Sequence, residues 1–223
     1  MIEAIVFDMD GILFDTERLT ISQWGKVCKA MGCPDVTRYS SEFMGLNRVA
    51  HRQYCAQKFG EQFPYDESLN RARRAVAEYI AQNGVPVKPG LFELLDYLKE
   101  RRLPVAAATS TQRSTVLNFF ENAGILGYFH EIICGDMVEH SKPDPEIYLK
   151  ATAALKKQPE NCIALEDSPN GIRSAYNAGM KTVMVPDMVA PSPELDGMLF
   201  ACVPALNHVI PLIEAENGGN FGK

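Results

Sequence analysis

From residue 88 onward, short apolar runs alternate with segments of helical periodicity, and this alternation constrains the fold more than any other feature of the chain. The apolar runs are short and continuous, as in strands that are buried on both faces. The predicted strands cover residues 2–7, 103–108, 129–134, 162–165 and 181–185. Strands that alternate with helices are joined by right-handed crossovers, which place them parallel in one sheet. The sequence therefore predicts an α/β fold with a Rossmann-like, mostly parallel sheet.

Residues 16–84 break this alternation because they contain helical patterns and no convincing strand. The helical patterns cover residues 16–31, 47–59 and 66–81, and another short one begins at Ser41. An all-helical insertion after the first strand predicts a small cap domain that is connected through hinges near residues 15–16 and 84–88. We therefore expect an α/β core over residues 1–15 and 85–215, a helical cap over 16–84 and a flexible tail over 216–223.

The composition is that of an ordinary globular protein, and the net charge of −6 argues against nucleic acid as the main partner. No stretch approaches the roughly 20 apolar residues of a membrane span, and the N-terminus does not have the pattern of a signal peptide. The six cysteines are scattered without paired spacing, so we expect reduced, mostly buried thiols. These features predict a cytoplasmic monomer with no nucleic-acid or membrane partner.

The first predicted strand ends in Asp8-Met9-Asp10-Gly11. The two-residue period of a strand returns Asp10 to the side of Asp8, and Gly11 allows a sharp bend. The carboxyl ends of strands are where open α/β sheets bind ligands. Two carboxylates at such a place call for a cation and suit a nucleophile beside a general acid/base. For this segment alone, a solvated turn or a calcium loop is the alternative.

Three more polar clusters follow later strands, and each has an ordinary structural alternative. Thr109 and Ser110 offer hydroxyl and N–H groups to an anion at the start of a helix, or simply cap that helix. Lys142 lies in a loop that two prolines stiffen, or it is a solvated lysine. Glu166 and Asp167 carry the oxygen ligands that magnesium prefers, or they cap the next helix. Because all the clusters follow strands of one sheet, together they predict a site for a phosphate and a divalent cation.

These motifs resemble those of the haloacid dehalogenase-like superfamily of phosphotransferases, and the resemblance covers essentially the whole chain. The matching pieces are Asp8-Met9-Asp10-Gly11, Thr109-Ser110, Lys142-Pro143, and Glu166-Asp167-Ser168 with Gly171. The helical insertion resembles the cap of a subgroup that contains β-phosphoglucomutase and many sugar-phosphate and phosphoglycolate phosphatases. The resemblance implies a magnesium-dependent phosphoric monoester hydrolase that acts on a small phosphorylated metabolite, with a sugar phosphate favoured.

The resemblance also implies roles for the four acidic residues. Asp8 would attack phosphorus and form an aspartyl-phosphate, and Asp10 would act as the general acid and then as the general base. The Asp8 carboxylate, the Asp10 carbonyl and Asp167 would hold Mg²⁺, with Glu166 as a direct or an outer ligand. The second aspartate, Asp10, distinguishes this chain from the carbon–halogen hydrolases of the family.

The remaining expected roles concern the phosphate and the cap. Thr109, Ser110 and Lys142 would bind the phosphoryl oxygens, with Lys142 part of the catalytic machinery. Arg48, at the end of a cap loop that begins at Gly45, would meet a substrate anion, and the cap would close over the substrate. We expect a solvated helix face for Arg71, Arg73 and Arg74, and a place in the cap core for Trp24.

Three alternatives stay open at this point. A mutase of the β-phosphoglucomutase type resembles the chain almost throughout, but such enzymes typically carry a histidine where Thr20 stands here. A signalling receiver module also combines a phosphorylated aspartate with Mg²⁺, but it lacks a helical insertion after the first strand. A binding protein without catalysis is the third alternative, although every expected site residue is present.

Overall fold

The computed structural model describes residues 1–43 and 48–218, and at Arg48 it describes the backbone alone. The chain divides into two compact units, which we call the core unit (Met1–Phe14 and Val87–Lys223) and the inserted unit (Asp15–Pro86). Among the helices of the described residues, none has both the length and the apolar composition that spanning a membrane would require.

The core unit is built on a parallel sheet with six strands in the described residues. These are β1 (Ala4–Phe7), β2 (Val105–Ala108), β3 (Glu131–Ile133), β4 (Cys162–Glu166), β5 (Lys181–Met184) and β6 (Ala201–Cys202). Their spatial order is β3-β2-β1-β4-β5-β6, and every neighbouring pair is parallel. The predicted α/β fold with a mostly parallel sheet is confirmed. Strand β6 was not predicted, because two residues are too few to show a periodic pattern.

The described residues of the inserted unit form helices joined by short loops, with no strand. Its helices are α1 (Thr16–Ala30), α2 (Ser40–Phe43), α3 (Arg48–Phe59) and α4 (Tyr65–Asn83). Trp24 lies in the core of this unit, where its ring makes edge contacts with Phe43 and Tyr65. Its indole N–H donates a hydrogen bond to Ser68 Oγ at 2.9 Å, which satisfies the polar edge of a buried ring. Trp24 is therefore a core residue of the unit, as expected.

Helices cover the sheet of the core unit because its central strands are apolar on both sides. The helices are α5 (Leu91–Glu100), α6 (Arg113–Asn122), α7 (Glu146–Ala154), α8 (Pro169–Asn177) and α9 (Val209–Glu216). On one face, small residues such as Ala106 and Ala164 pack in one cluster with Ile147 and Ala151 of α7. Small strand residues let this helix lie close to the sheet, which brings the start of α7 near the strand ends.

The strand order places a crevice beside β1. From β1 the chain continues to β2 on one side, whereas β4 lies on the other, so the connections diverge at this point. In open α/β sheets, such a switch point leaves a crevice outside the carboxyl ends of the strands, where ligands bind. The Asp8 N–H donates to the Leu165 carbonyl at 2.9 Å and extends the pairing of β1 with β4 to this end. The acids that follow β1 and β4 therefore emerge side by side.

Leu94→Ala should lower the free energy of unfolding of the core unit by about 2–5 kcal/mol, because it removes buried methyl groups and leaves a cavity. Leu94 lies on α5 with no exposed surface. Glu100→Ala, on the exposed surface of the same helix, is the control and should change this free energy by less than about 0.5 kcal/mol. Urea unfolding followed by circular dichroism measures both, and equal changes would contradict the assignment of the core face.

Candidate active site

Asp8 lies at the carboxyl end of β1, and its side chain points into a polar cluster that consists of Asp8, Lys142, Glu166 and Asp167. Its Oδ1 atom accepts a hydrogen bond from Lys142 Nζ at 2.6 Å. The turn after it bends at Gly11, whose φ of +84° lies in the left-handed region that favours glycine. A Cβ atom at Gly11 would also overlap the Asp167 carboxylate. Gly11 therefore allows both the bend after β1 and the close approach of Asp167.

The side chain of Lys142 is buried and donates hydrogen bonds to Asp8 and Glu166 of this cluster, so it is not a solvated loop residue. Its ammonium donates to Asp8 Oδ1 at 2.6 Å, to Glu166 Oε1 at 2.6 Å and to the Ala108 carbonyl at 3.0 Å. An ammonium has three protons, so these partners account for all of them. Burial lowers the pKa of Lys142, but the two carboxylates outweigh it and the pKa is raised overall. Lys142 therefore stays charged beside Asp8.

Glu166 is completely buried, and both of its oxygens accept hydrogen bonds from the chain itself. Oε1 accepts from Lys142 at 2.6 Å and from the Tyr148 hydroxyl at 2.7 Å. Oε2 accepts from the Ser168 hydroxyl at 3.1 Å and from the N–H groups of the next two residues. A Cβ atom at Gly171 would overlap this carboxylate. The absence of a side chain at Gly171 thus makes room for a buried, fully bonded anchor.

Tyr148, on α7, was not predicted as a site residue. Its side chain is buried, and its ring centroid lies 4.9 Å from Lys142 Nζ. Burial is the main cause that raises the pKa of its phenol well above the usual value, and Glu166 and Asp8 add to it. The phenol therefore remains a hydrogen-bond donor. In the sequence, the place of Tyr148 in a helix predicts an ordinary core residue. The one feature of the sequence that could have indicated a role in the site is a side-chain hydroxyl six positions after Lys142.

Among the described residues, carboxylates outnumber cations at this site. Carboxylate oxygens of Asp8, Glu166 and Asp167 lie within 4.8 Å of one another, and the ammonium of Lys142 is the one cation that the described residues place in hydrogen-bond contact with Asp8 and Glu166. Burial raises the pKa of Asp8 to about 8; Lys142 counteracts this, whereas Glu166 and Asp10 add to it. Carboxylate oxygens in excess of local positive charge are the donor set that a hard divalent cation prefers. These acidic residues could therefore hold a metal ion.

Asp10 is held by a second residue that was not predicted, Thr111. The Thr111 hydroxyl donates to Asp10 Oδ2 at 2.9 Å, across 101 residues of chain. The Thr111 N–H in turn donates to Thr109 Oγ1 at 3.1 Å, and Thr109 is buried. The turn after β2 therefore orients the acid that follows β1. Thr111 lies one residue beyond Thr109-Ser110, the pair that resembles the family motif.

The expectation that Thr109 and Ser110 open a helix is wrong. Helix α6 begins at Arg113, and the residue before it, Gln112, makes no capping hydrogen bond through its side chain. Ser110 is exposed, and its carbonyl lies where a Cβ atom at Gly135 would be. The two predicted phosphate-binding residues thus lie in a tight turn at the end of β2. The alternative that they are plain helix caps is excluded by the same boundary.

A carboxylate outside the cluster holds the loop that carries Lys142. Glu146 accepts hydrogen bonds from the N–H groups of Glu139 at 3.1 Å and His140 at 2.8 Å, and pairs with Lys150 at 2.6 Å. Lys150 first, and then these N–H groups, lower the pKa of Glu146 to about 2. The Lys142–Pro143 peptide bond in this loop is cis. His140 also contacts Glu146, at 3.2 Å, and takes no part in the cluster around Lys142.

The cap residues named from the sequence differ in outcome. The side chain of Arg48 and residues 44–47 lie outside the described residues, so a contact of Arg48 with a substrate anion stays a prediction. Arg71 is exposed and pairs with Glu67 one helical turn away, at 2.7 Å. Arg73 and Arg74 are exposed on the same helix. These three arginines therefore form a solvated face, as expected.

The family of the chain follows from comparison with known proteins. The sequence model of the haloacid dehalogenase-like hydrolase family matches residues 5–185 of this chain. The chain belongs to this family. A phosphorylated carbohydrates phosphatase of Thermotoga maritima is 32% identical over 185 residues, which cover 81% of this chain and 83% of the relative. A β-phosphoglucomutase of Bacillus subtilis is 26% identical over 189 residues, which cover 82% and 83%.

A solved structure agrees with both the fold and the family. The crystal structure of CbbY from Rhodobacter sphaeroides in complex with phosphate has a TM-score of 0.67 and 26% sequence identity, over 94% of this chain and 96% of that one. The resemblance read from the motifs is thus confirmed at the level of the family. The chain is a haloacid dehalogenase-like hydrolase.

Glu146→Gln should destabilise the protein in a pH-dependent way. The pKa of Glu146 is about 2 in the folded state, against an ordinary value of 4.5. Its negative charge therefore stabilises the folded state fully when the pH is above 4.5, and this contribution is lost as the pH falls toward 2. The stability difference between wild type and variant should therefore be largest near about pH 7 and shrink toward about pH 3. Urea unfolding at several pH values measures it. Glu121→Gln, on the exposed surface of α6, is the control, and a pH-independent difference for Glu146→Gln would contradict the assignment.

Proposed function

We propose that this chain is a magnesium-dependent phosphatase that hydrolyses small phosphorylated carbohydrates through an aspartyl-phosphate on Asp8. The observation that carries the proposal is the pairing of Asp8 with the buried ammonium of Lys142, at 2.6 Å, at the switch point of the sheet. This pairing engages Oδ1 and leaves Oδ2 of Asp8 to attack phosphorus. A nucleophilic carboxylate needs its negative charge. Burial raises the pKa of Asp8 to about 8, Lys142 counteracts this, and a divalent cation bound beside Asp8 would favour the charged form further.

Asp10 is proposed as the general acid and base. Its proton passes to the leaving alkoxide as the bond to phosphorus breaks, and it then takes a proton from the water that hydrolyses the aspartyl-phosphate. The hydrogen bond from the Thr111 hydroxyl to Asp10 Oδ2 supports this role, because it fixes the orientation of the Asp10 carboxyl group. Hydrolysis returns Asp8 and Asp10 to their starting states.

The acids around Asp8 are proposed to hold Mg²⁺ through the Asp8 carboxylate, the Asp10 carbonyl and Asp167. Mg²⁺ bound there would neutralise negative charge on the phosphoryl group. Both oxygens of Glu166 already accept hydrogen bonds from the chain, so we assign Glu166 an outer role in which it anchors Lys142. Of the two roles that the family resemblance allows for Glu166, its hydrogen bonds favour this one.

Thr109, Ser110 and Lys142 are proposed to bind the phosphoryl oxygens. Thr109 Oγ1 accepts the Thr111 N–H, so its own hydroxyl proton can be donated to an anion. Lys142 can exchange its hydrogen bond to the Ala108 carbonyl, at 3.0 Å, for one to a phosphoryl oxygen. Such donors stabilise the charge that spreads over the equatorial oxygens in the transition state.

The substrate class is proposed from the relatives, and one residue argues against mutase activity. The relative from Thermotoga maritima is named for phosphorylated carbohydrates, and the CbbY structure contains phosphate. The relative from Bacillus subtilis is a β-phosphoglucomutase. The position that is typically histidine in such mutases is Thr20, whose hydroxyl donates to the Thr16 carbonyl at 2.8 Å. A threonine that is bonded within its own helix is not a base near neutral pH, so hydrolysis is favoured.

With Mg²⁺, the purified chain should release inorganic phosphate from a panel of phosphorylated carbohydrates, and excess chelator should stop the release. Colorimetric phosphate determination measures both. With β-glucose 1-phosphate and a bisphosphate activator, phosphate release should exceed glucose 6-phosphate formation in a coupled assay. Release that persists in chelator would remove Mg²⁺ from the proposal, and dominant isomerisation would establish the mutase instead.

Asp8→Asn should lower kcat by roughly 10⁴-fold or more, because the amide cannot attack phosphorus to form the aspartyl-phosphate. Steady-state kinetics on the best substrate of the panel measures the loss, and circular dichroism checks that the fold is retained. Asp196→Asn, at an exposed position of the core unit, is the matched control and should retain wild-type kcat. Turnover of Asp8→Asn near the wild-type rate would rule out covalent catalysis by Asp8.

A further inference from the structure

Tyr148, on α7, lies beside Glu166 and Lys142 of the candidate active site. Its hydroxyl lies 2.7 Å from Glu166 Oε1 and 3.3 Å from Lys142 Nζ. Its ring lies beside the same ammonium, with the centroid 4.9 Å from Nζ. The side chain has no exposed surface, so water does not compete for these contacts. A tyrosine in this position contacts the two residues that position Asp8, without contacting Asp8 through its own hydrogen bonds.

The direction of the hydrogen bond follows from the protons of Lys142. The three partners of the ammonium lie at 2.6, 2.6 and 3.0 Å, each closer than the phenol oxygen at 3.3 Å. The ammonium therefore does not need the phenol as an acceptor, and the phenol proton is left for Glu166. A fully buried carboxylate needs such donors, because an unsatisfied buried charge is costly.

This arrangement decides how the ammonium is shared. Asp8 and Glu166 both lie 2.6 Å from Lys142 Nζ and compete for the same positive charge. Without the phenol, Lys142 would be the only side-chain donor to Glu166 Oε1 among the described residues. The more deeply buried carboxylate, with 0% exposure against 11% for Asp8, would then draw the ammonium toward itself. Asp8 would lose the hydrogen bond that fixes its carboxylate.

We propose that Tyr148 is a positioning residue, whose hydroxyl donates to Glu166 and thereby keeps the Lys142 ammonium shared with Asp8. The consequence for turnover rests on the proposed function in one respect, namely that Asp8 is the nucleophile. A ring that serves only as core packing would do equally well as phenylalanine. Removal of the phenol oxygen should therefore lower turnover if Tyr148 positions Lys142, and should leave turnover unchanged if Tyr148 serves only as core packing.

Tyr148→Phe should lower kcat by about 10–100-fold, the usual effect of losing a partner that orients a catalytic group, with KM changed less than about threefold. Thermal unfolding and circular dichroism check that the fold is retained. Tyr176→Phe, on α8 with 47% of the tyrosine exposed, is the matched control and should keep wild-type kcat. A kcat for Tyr148→Phe that matches the control would overturn the proposal.

Two further variants separate the donor from the shape of the side chain. Placing 4-aminophenylalanine at position 148 keeps an N–H donor near the oxygen position and should recover most of the lost kcat. Placing 4-fluorophenylalanine there keeps the volume and loses the donor, so it should behave as Tyr148→Phe and replaces that variant if it does not fold. Loss of kcat in the amino variant as large as in the fluoro variant would show that the donor is not what matters.

A crystal structure of Tyr148→Phe tests the positioning without any substrate. Lys142 Nζ should move beyond hydrogen-bond distance of Asp8 Oδ1, to more than about 3.5 Å, while its bond to Glu166 remains. If the wild-type chain releases no phosphate from any ester of the panel, the proposed function fails, but this distance still decides the role of Tyr148. A separation between Lys142 and Asp8 that stays as in the wild type would overturn the proposal.

Discussion

The ammonium of Lys142 lies buried between the carboxylates of Asp8 and Glu166, and much of the core unit is arranged around this pairing. The three residues are far apart in the chain, since Lys142 lies 134 positions from Asp8 and 24 from Glu166. A buried charge is tolerated only when it is paired and hydrogen-bonded. The pairing therefore requires the end of β1, the end of β4 and the loop before α7 to stay together.

Close packing of backbone against these charges completes the arrangement. Gly11 and Gly171 lie where a Cβ atom would overlap the carboxylates of Asp167 and Glu166 respectively. Glu146 accepts N–H groups of the loop that carries Lys142 and so keeps this loop in place. The site thus depends on residues that we do not expect to take part in the reaction. They restrict the conformations of the side chains that we expect to react or to bind the phosphate.

The balance of charge explains why this scaffold suits phosphoryl transfer. Within the part of the chain that the structure describes, one ammonium faces the carboxylates of Asp8, Glu166 and Asp167, so a phosphate dianion would meet net negative charge there. A divalent cation at Asp8 and Asp167 would cancel that excess of two negative charges, while the hydrogen-bonded Glu166 keeps Lys142 in place. Membership of the haloacid dehalogenase-like hydrolases agrees with this chemistry.

The sequence alone was enough to predict the α/β class, the parallel sheet and the motifs at the strand ends, because burial on both faces and helical spacing are local patterns. It did not reveal strand β6, the start of α6 at Arg113, or the roles of Tyr148 and Thr111. Tyr148 looks like any core residue of a helix, and Thr111 like any turn residue. Their partners, Glu166 and Asp10, lie 18 and 101 residues away. The sequence determined which groups are available, whereas the tertiary structure decided which of them share a proton or a charge, since such pairing depends on distances that no local pattern contains.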